Sequence, residues 1–543
     1  MRVRGCPASP NDRCKGAGLC AGEGHAARVR RRAASCRTIG RCNGRHRREG
    51  GMAQDDSTDK GRTARRAGST ELKRNALGAP SLVFIVIAAI APLAACAANI
   101  PLIIGHGNGI AAPLDFVLMG VVLALFSCGY TAMSEHMVNA GAFWAYVSEG
   151  LGRVAGAAAG YLALVSYNVL TVCTSAMGGY IVSRNLGFEL GIDLPWWAVS
   201  AVLWVVVWLL GAAGVDVGAR FLGVCLVLEL VIIVAAVGAV VLGEGLAAFL
   251  AASFAPESFV RGSPGLGLVF AFACYLGFEA TAEYSEEARD ARRTVPRATF
   301  AALALVGALF VAAAWAMLAA LGPEAVRLAQ GEDAGTILYR IVAARLGAGF
   351  GHVYNWFYML SSIACWVSAH NAATRYLYAF GRAGLLPRVL ARTHPRRRSP
   401  YVAGLAQAAF GGGVLALAAA AGLSPYAQIG ATASALACVG VMLLELLASV
   451  AAFCYLRRHA GEPGFEYGFL RARVAPVLAA VALGAVSVLV MANLSALTEQ
   501  ESFAVNLVLG CLMPAVLGAG WLVAARRARR GTLPDPAGIS VEG

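Results

Sequence analysis

Apolar residues gather into twelve long runs divided by short polar stretches, at 80–104, 113–133, 155–183, 195–213, 220–243, 264–288, 298–321, 352–380, 400–420, 427–456, 474–495 and 503–525. A helix needs about 20 residues at 1.5 Å rise to cross a hydrocarbon core of about 30 Å. The pattern therefore predicts an all-α integral membrane protein of twelve transmembrane helices. Two runs are weakened near mid-depth, the first by Ala91-Pro92 and the sixth by Gly277. Unwound backbone at that depth survives only beside a cavity or buried in protein, and paired interruptions in two halves of a chain point to the substrate site of an inverted-repeat transporter. Pro and Gly are also common in membrane helices with no such role, so the interruptions alone leave both readings open.

The fifth and tenth runs carry a faint echo of each other. Gly223-Val-Cys-Leu-Val-Leu-Glu229-Leu230 resembles Gly440-Val-Met-Leu-Leu-Glu445-Leu446, as a repeat of five helices would require. Each Glu lies about 14 to 16 Å from its cytoplasmic helix end at 1.5 Å per residue, near the midplane. An ionised carboxylate exposed to lipid there costs roughly 2.5–3.5 kcal/mol or more, so both are expected to face the protein interior.

Composition agrees with a bilayer as solvent: 58% of residues are apolar and 14% charged, too much apolar surface for a soluble protein to hide. The net charge of +14 suggests nucleic acid until it is mapped. Residues 1–51 hold 13 Lys/Arg against three acids and so contribute +10 of it, and no nucleic-acid partner is expected. That segment has no apolar run, and its five Cys fit no metal template. The simplest reading starts the protein at Met52, although a transit peptide has a similar composition. The remaining Cys lie mostly in apolar runs, where a thiol acts as a small hydrophobe, and no disulfide is expected. From residue 52 onward, 26 Lys/Arg fall in loops on the side of the termini and five on the other. The positive-inside rule then places both termini in the cytoplasm, in a cell (plasma) membrane. The clusters Arg289–Arg297 and Arg382–Arg398 read as topological anchors.

The most specific segment is Phe270-Ala-Phe-Ala-Cys-Tyr-Leu-Gly-Phe278-Glu279, followed by Glu283, Glu286-Glu287, Arg289 and Arg292-Arg-Thr-Val-Pro-Arg297. Three further stretches accompany it: Asn139-Ala-Gly-Ala-Phe-Trp-Ala-Tyr146 with Gly150-Leu-Gly152, Asn371 to Pro387 with His394-Pro395 and Ser399-Pro400, and Asn99-Ile-Pro101 before Gly105-His-Gly-Asn-Gly109. Together, from about residue 80 to 456, they resemble the amino acid/polyamine/organocation permeases. The resemblance implies the leucine-transporter type of fold: inverted five-helix repeats at 80–243 and 264–456 and two C-terminal helices at 474–525, before a tail at 526–543; composition, apart from the resemblance, reads 1–79 as a basic segment without fixed structure.

The same resemblance implies a substrate held by the broken first and sixth helices. Ala94, Ala95 and Cys96 stand at the family's small-residue turn, whose amides bind the substrate carboxylate. Pro92, Ala273 and Leu276 fall where carbonyls receive the ammonium, beside Gly277. Many relatives have a bulky aromatic at the position of Ala273, so Phe272, Tyr275 or Phe278 is left to close over the substrate. Some relatives carry a coupling Lys on the fifth helix, and aligning Gly214-Val215 and Ala219 with them puts Glu229 in its place. Glu229 is then a proton carrier, a cation ligand or a buried structural group, with Glu279 and Glu445 as further coupling candidates. No phosphate loop, His-Glu-x2-His or metal-like cluster is present in the sequence, and no catalytic residue, metal or cofactor is expected. The expected partners are a small amino acid or amine, protons and membrane lipid. The expected activity is secondary transport by alternating access, with a transporter-like solute sensor as the alternative.

Overall fold

The structure is a computed structural model in which residues 72–534 are described, apart from 248–249, 332–333, 499 and 501. The expectations for residues 1–51, including the start at Met52, lie outside the described residues. Every regular element among the described residues is helical, and their β contact is one isolated bridge between Leu77 and Ala288. A helix stands at each of the twelve apolar runs. Ten of these are long and apolar enough to cross a membrane. Of the other two, Trp196–Ala212 is apolar but has only 17 residues, and Ala348–Ala383 is long but interrupted by Asn355, Ser361, Ser362, Ser368 and His370, all buried.

The first run is two helices, α1 (Ala79–Ile90) and α2 (Pro92–His106), separated at Ala91. They are followed by α3 (Ala112–Ser134), α4 (Ala142–Leu151), α5 (Arg153–Leu190), α6 (Trp196–Ala212) and α7 (Val215–Glu244). The sixth run is also interrupted: α8 (Pro264–Tyr275) ends at Leu276, and a 3-10 turn resumes at Phe278–Tyr284. Then come α9 (Ala291–Leu321), α10 (Ala348–Ala383), α11 (Tyr401–Ala420), α12 (Ala431–Arg458), α13 (Ala475–Ala492) and α14 (Phe503–Arg529).

Burial separates a centre from a periphery. The first, third, sixth and tenth runs are 67–72% buried inside the protein, whereas the last two are 33% and 22% buried. The outer helices turn Val202, Val231, Leu417, Val488 and Val508 outward with more than half their surface exposed, as a lipid-facing wall requires. Central helices meet at small residues, where dispersion rather than water expulsion holds membrane helices together. A Cβ on Gly440 would lie 2.0 Å from Ser166 Oγ, so only glycine lets α12 approach α5 so closely.

Candidate substrate site

The site is built around the two helix breaks. Ala91 has φ 51° and ψ 69°, a left-handed conformation that stops α1, and its N–H donates to Ile87 and Ala88 carbonyls. Pro92 then starts α2 at a position where its missing N–H costs nothing. In the sixth run, Leu276 (ψ 130°) leaves the helix and Gly277 takes φ 106°. A Cβ on Gly277 would sit 3.3 Å from Ala89 Cβ. The break in one run is therefore seated against the end of α1 in the other.

Beside this junction lies a cavity of about 160 Å³. One face of each neighbouring helix lines it at helical spacing: Tyr167, Leu170, Thr174, Met177 and Ile181 from α5, and Tyr358, Ser362, Cys365, Ala369 and Ala372 from α10. Ala91, Ala94, Ala95, Ala98 and Asn99 complete it from the first run, Ala273, Leu276, Gly277 and Ala280 from the sixth, and Ser434 from α12. Its lining contains no charged side chain.

Of the residues expected around a substrate, the cavity brings together Ala94, Ala95, Ala273, Leu276 and Gly277. Pro92, Cys96, Tyr275 and Phe278 are not in its lining. Tyr275 turns to α3 and α9, donating to the Phe116 carbonyl at 3.0 Å with its ring edge-on to Phe310, while Phe278 packs edge-on against Phe126. Both are buried in aromatic contacts rather than free to cover a ligand, and Phe272 is buried as well. Tyr167 and Tyr358 are the aromatic residues of the cavity. Sequence reasoning missed them, although their signal exists: hydroxyls recur every three or four positions along otherwise apolar helices.

The coupling candidates occupy separate places. Glu229 is wholly buried on α7, and its Oε2 accepts the Leu93 N–H at the start of α2 at 3.3 Å. Ser361 of α10 joins it by accepting the Ala94 N–H at 3.2 Å. Glu279 accepts the Gly277 N–H (2.9 Å) and the Tyr167 hydroxyl (2.8 Å), so it grips the sixth-run break from behind the cavity wall. Glu445 on α12 is buried, with neither carboxyl oxygen hydrogen-bonded among the described residues. His370 shares a hydrogen bond with Gln407 at 2.5 Å, a contact between α10 and α11.

On the side of the basic loops, ion pairs tie the elements together. Arg375 of α10 donates to Glu287 at 2.5 and 3.2 Å and lies 3.8 Å over the Tyr284 ring. Arg382 donates to Glu286, which also accepts the Ala140 N–H. The Glu287 carbonyl receives the N–H groups of Ala76 and Leu77, and Lys73 pairs with Asp216. The Glu-Glu pair after the sixth run thus fastens three parts of the chain at one end of the molecule.

Comparison with known proteins gives one family match and several distant relatives. The family model described as amino acid permease matches residues 77–516. The low-affinity putrescine importer PlaP of Escherichia coli (strain K12) is 25% identical over 294 residues, 52% of this chain and 62% of the importer. The methylthioribose transporter of Bacillus subtilis (strain 168) is 24% identical over 314 residues, 54% of this chain and 65% of the relative. The branched-chain amino acid permease BcaP of Lactococcus lactis subsp. cremoris (strain MG1363) is 27% identical over 308 residues, 52% of this chain and 63% of the relative. The chain thus spans somewhat less than two thirds of the length of each. Among solved structures, MhsT in complex with L-phenylalanine superimposes with a TM-score of 0.52 at 14% identity, covering 76% of this chain and 99% of that one. That likeness shows a shared fold.

Proposed function

The chain belongs to the amino acid permease family, a family of transporters rather than enzymes, and on that premise we propose that it carries an amino acid or a related amine across the membrane by alternating access. The observation that carries this reading is the meeting of the two helix breaks beside a cavity lined by both broken runs, α5 and α10. The carbonyl ends of α1 and α8 at the breaks carry negative partial charge, which holds a polar solute where lipid would not. In this reading the chain has twelve spans, as inverted repeats at 80–243 and 264–456 with two C-terminal helices at 474–525, and both termini lie in the cytoplasm.

Within the cavity, Ala94, Ala95, Ala273, Leu276 and Gly277 surround the substrate, and Glu229 carries the coupling proton. Glu229 suits that role by position: it is buried at mid-helix and touches the start of α2. Loading and unloading it therefore acts directly on the element that must move. The test is uptake of labelled amino acids and amines into proteoliposomes, with and without an imposed pH gradient. Saturable, gradient-stimulated uptake of at least one compound is expected. Glu229→Gln should lower gradient-driven accumulation by about tenfold, within the roughly 5- to 150-fold of typical coupling energies, while exchange continues. Accumulation that follows the gradient equally well in the mutant removes Glu229 from the mechanism.

A further inference from the structure

A helix of 15 residues such as α2 ends in amides that attract an anion, because its first N–H groups have no intrahelical partner. Here each of them already has an acceptor from within the protein. Pro92 has no N–H, the Leu93 N–H is taken by Glu229 at 3.3 Å, and the Ala94 N–H by Ser361 at 3.2 Å. The Ala95 N–H is bonded to the Ala91 carbonyl at 2.9 Å. At the other break the Gly277 N–H is taken by Glu279 at 2.9 Å. A carboxyl oxygen accepts an N–H whether or not the group carries its proton, so these amides stay engaged in either state.

The opposite poles remain. The C-terminal ends of α1 and α8 meet at the junction, where a Cβ on Gly277 would lie 3.6 Å from the Ala89 carbonyl oxygen. Carbonyls in the last turn of a helix lack intrahelical partners and carry negative partial charge. Among the described residues the Ala89 carbonyl receives a thiol, from Cys365 at 3.4 Å, and α8 is stopped by the turn at Leu276 with its next N–H diverted to Glu279. Away from that pole the lining is aliphatic side chains, hydroxyls, thiols, a thioether and the amide of Asn99, with no carboxylate among the described residues to receive a second positive group.

We propose that the cavity takes an organic monoamine that lacks a carboxylate, with one ammonium at the two carbonyl ends and an uncharged, largely apolar body among the alanines. This rests on the permease reading and narrows its substrate. An α-carboxylate entering the site would find the amides of α2 occupied and would have to displace Glu229 or Ser361, whereas a ligand without that carboxylate leaves the α2 amides paired as they are. Selectivity follows from such imperfect pairing of buried polar groups.

The test is binding to the purified full-length protein of matched sets that share one body: an amino acid, the amine without its carboxyl group, and the corresponding alcohol. Leucine, 3-methylbutylamine and 3-methylbutanol form one set, and phenylalanine, 2-phenylethylamine and 2-phenylethanol another. Ornithine with putrescine examines the second charge. In the expected result an amine of the first two sets binds roughly tenfold or more tightly than both of its partners, and putrescine binds less well than that amine. In Glu229→Ala, which frees the Leu93 N–H, the amino acid should gain on the amine by a similar factor; the wild-type ratios decide the matter if that variant does not fold. Tighter binding of the amino acids overturns this proposal and leaves the permease reading standing. Equal binding of the alcohols removes the ammonium from recognition and overturns it too. Failure of every amino acid and amine to bind overturns both.

Discussion

Ala91 holds φ 51° without being glycine, a left-handed conformation that costs an L-residue about 1–2 kcal/mol. It is tolerated because both neighbours enforce it: the N–H closes the last turn of α1, and Pro92 cannot continue that helix. Glycine would remove the steric cost but lose more entropy on folding, by roughly 0.5–1 kcal/mol. Ala91→Gly should therefore leave the melting temperature in detergent unchanged or slightly raised. Ala91→Val, β-branched at a positive φ, should lower it by several degrees, about 1–3 kcal/mol of backbone strain. A valine variant as stable as the glycine variant would show that the break does not need this conformation. At Gly277 the sequence was explicit, because φ 106° with Ala89 at 3.3 Å admits nothing larger. At Ala91 it was not, since alanine announces no turn and only the following proline did.

Between elements, the most buried ion pair among the described residues is Arg375–Glu287, 6% and 3% exposed. It joins α10 to the loop after the sixth run, and that loop in turn holds residues 76–77 through the Glu287 carbonyl. Removing one partner of a buried pair leaves a lone charge and typically costs about 3–5 kcal/mol, whereas replacing both by apolar groups of similar volume is often close to neutral. Arg375→Met and Glu287→Leu should each lower the melting temperature markedly, and the double variant should be more stable than either. Additive losses in the double variant would mean the two side chains act independently. The sequence marked Glu286-Glu287 as part of a motif without indicating a partner, because Arg375 stands 88 residues away on a different helix.

For the whole molecule, the distribution of charge from residue 52 onward predicts an orientation. With 26 Lys/Arg in loops on one side and five on the other, the lower cost of retaining positive charge in the cytoplasm should hold both termini there. A green fluorescent protein fused after Gly543 should then be bright, and alkaline phosphatase fused at the same place inactive. An active phosphatase fusion would invert the topology and place the Arg375–Glu287 fastening on the outer side.

The sequence by itself determined that this is an all-helical membrane protein, where its helices stand, and where two of them break. Hydropathy, proline and glycine act through the residue's own solvation and dihedral angles, and those need no distant partner. It also carried the family through its motifs around Gly277, Glu286 and Asn371. Only the tertiary structure decided what faces the cavity and what the break amides bind. Leu93 meets a carboxylate 136 residues away, and Ala94 a hydroxyl 267 residues away. Tyr275 and Phe278, which looked ready to cover a substrate, are spent on α3 and α9 contacts. Such pairings depend on how central helices pack side by side, and in a membrane that packing is decided by close fit and hydrogen bonds between helices rather than by hydropathy.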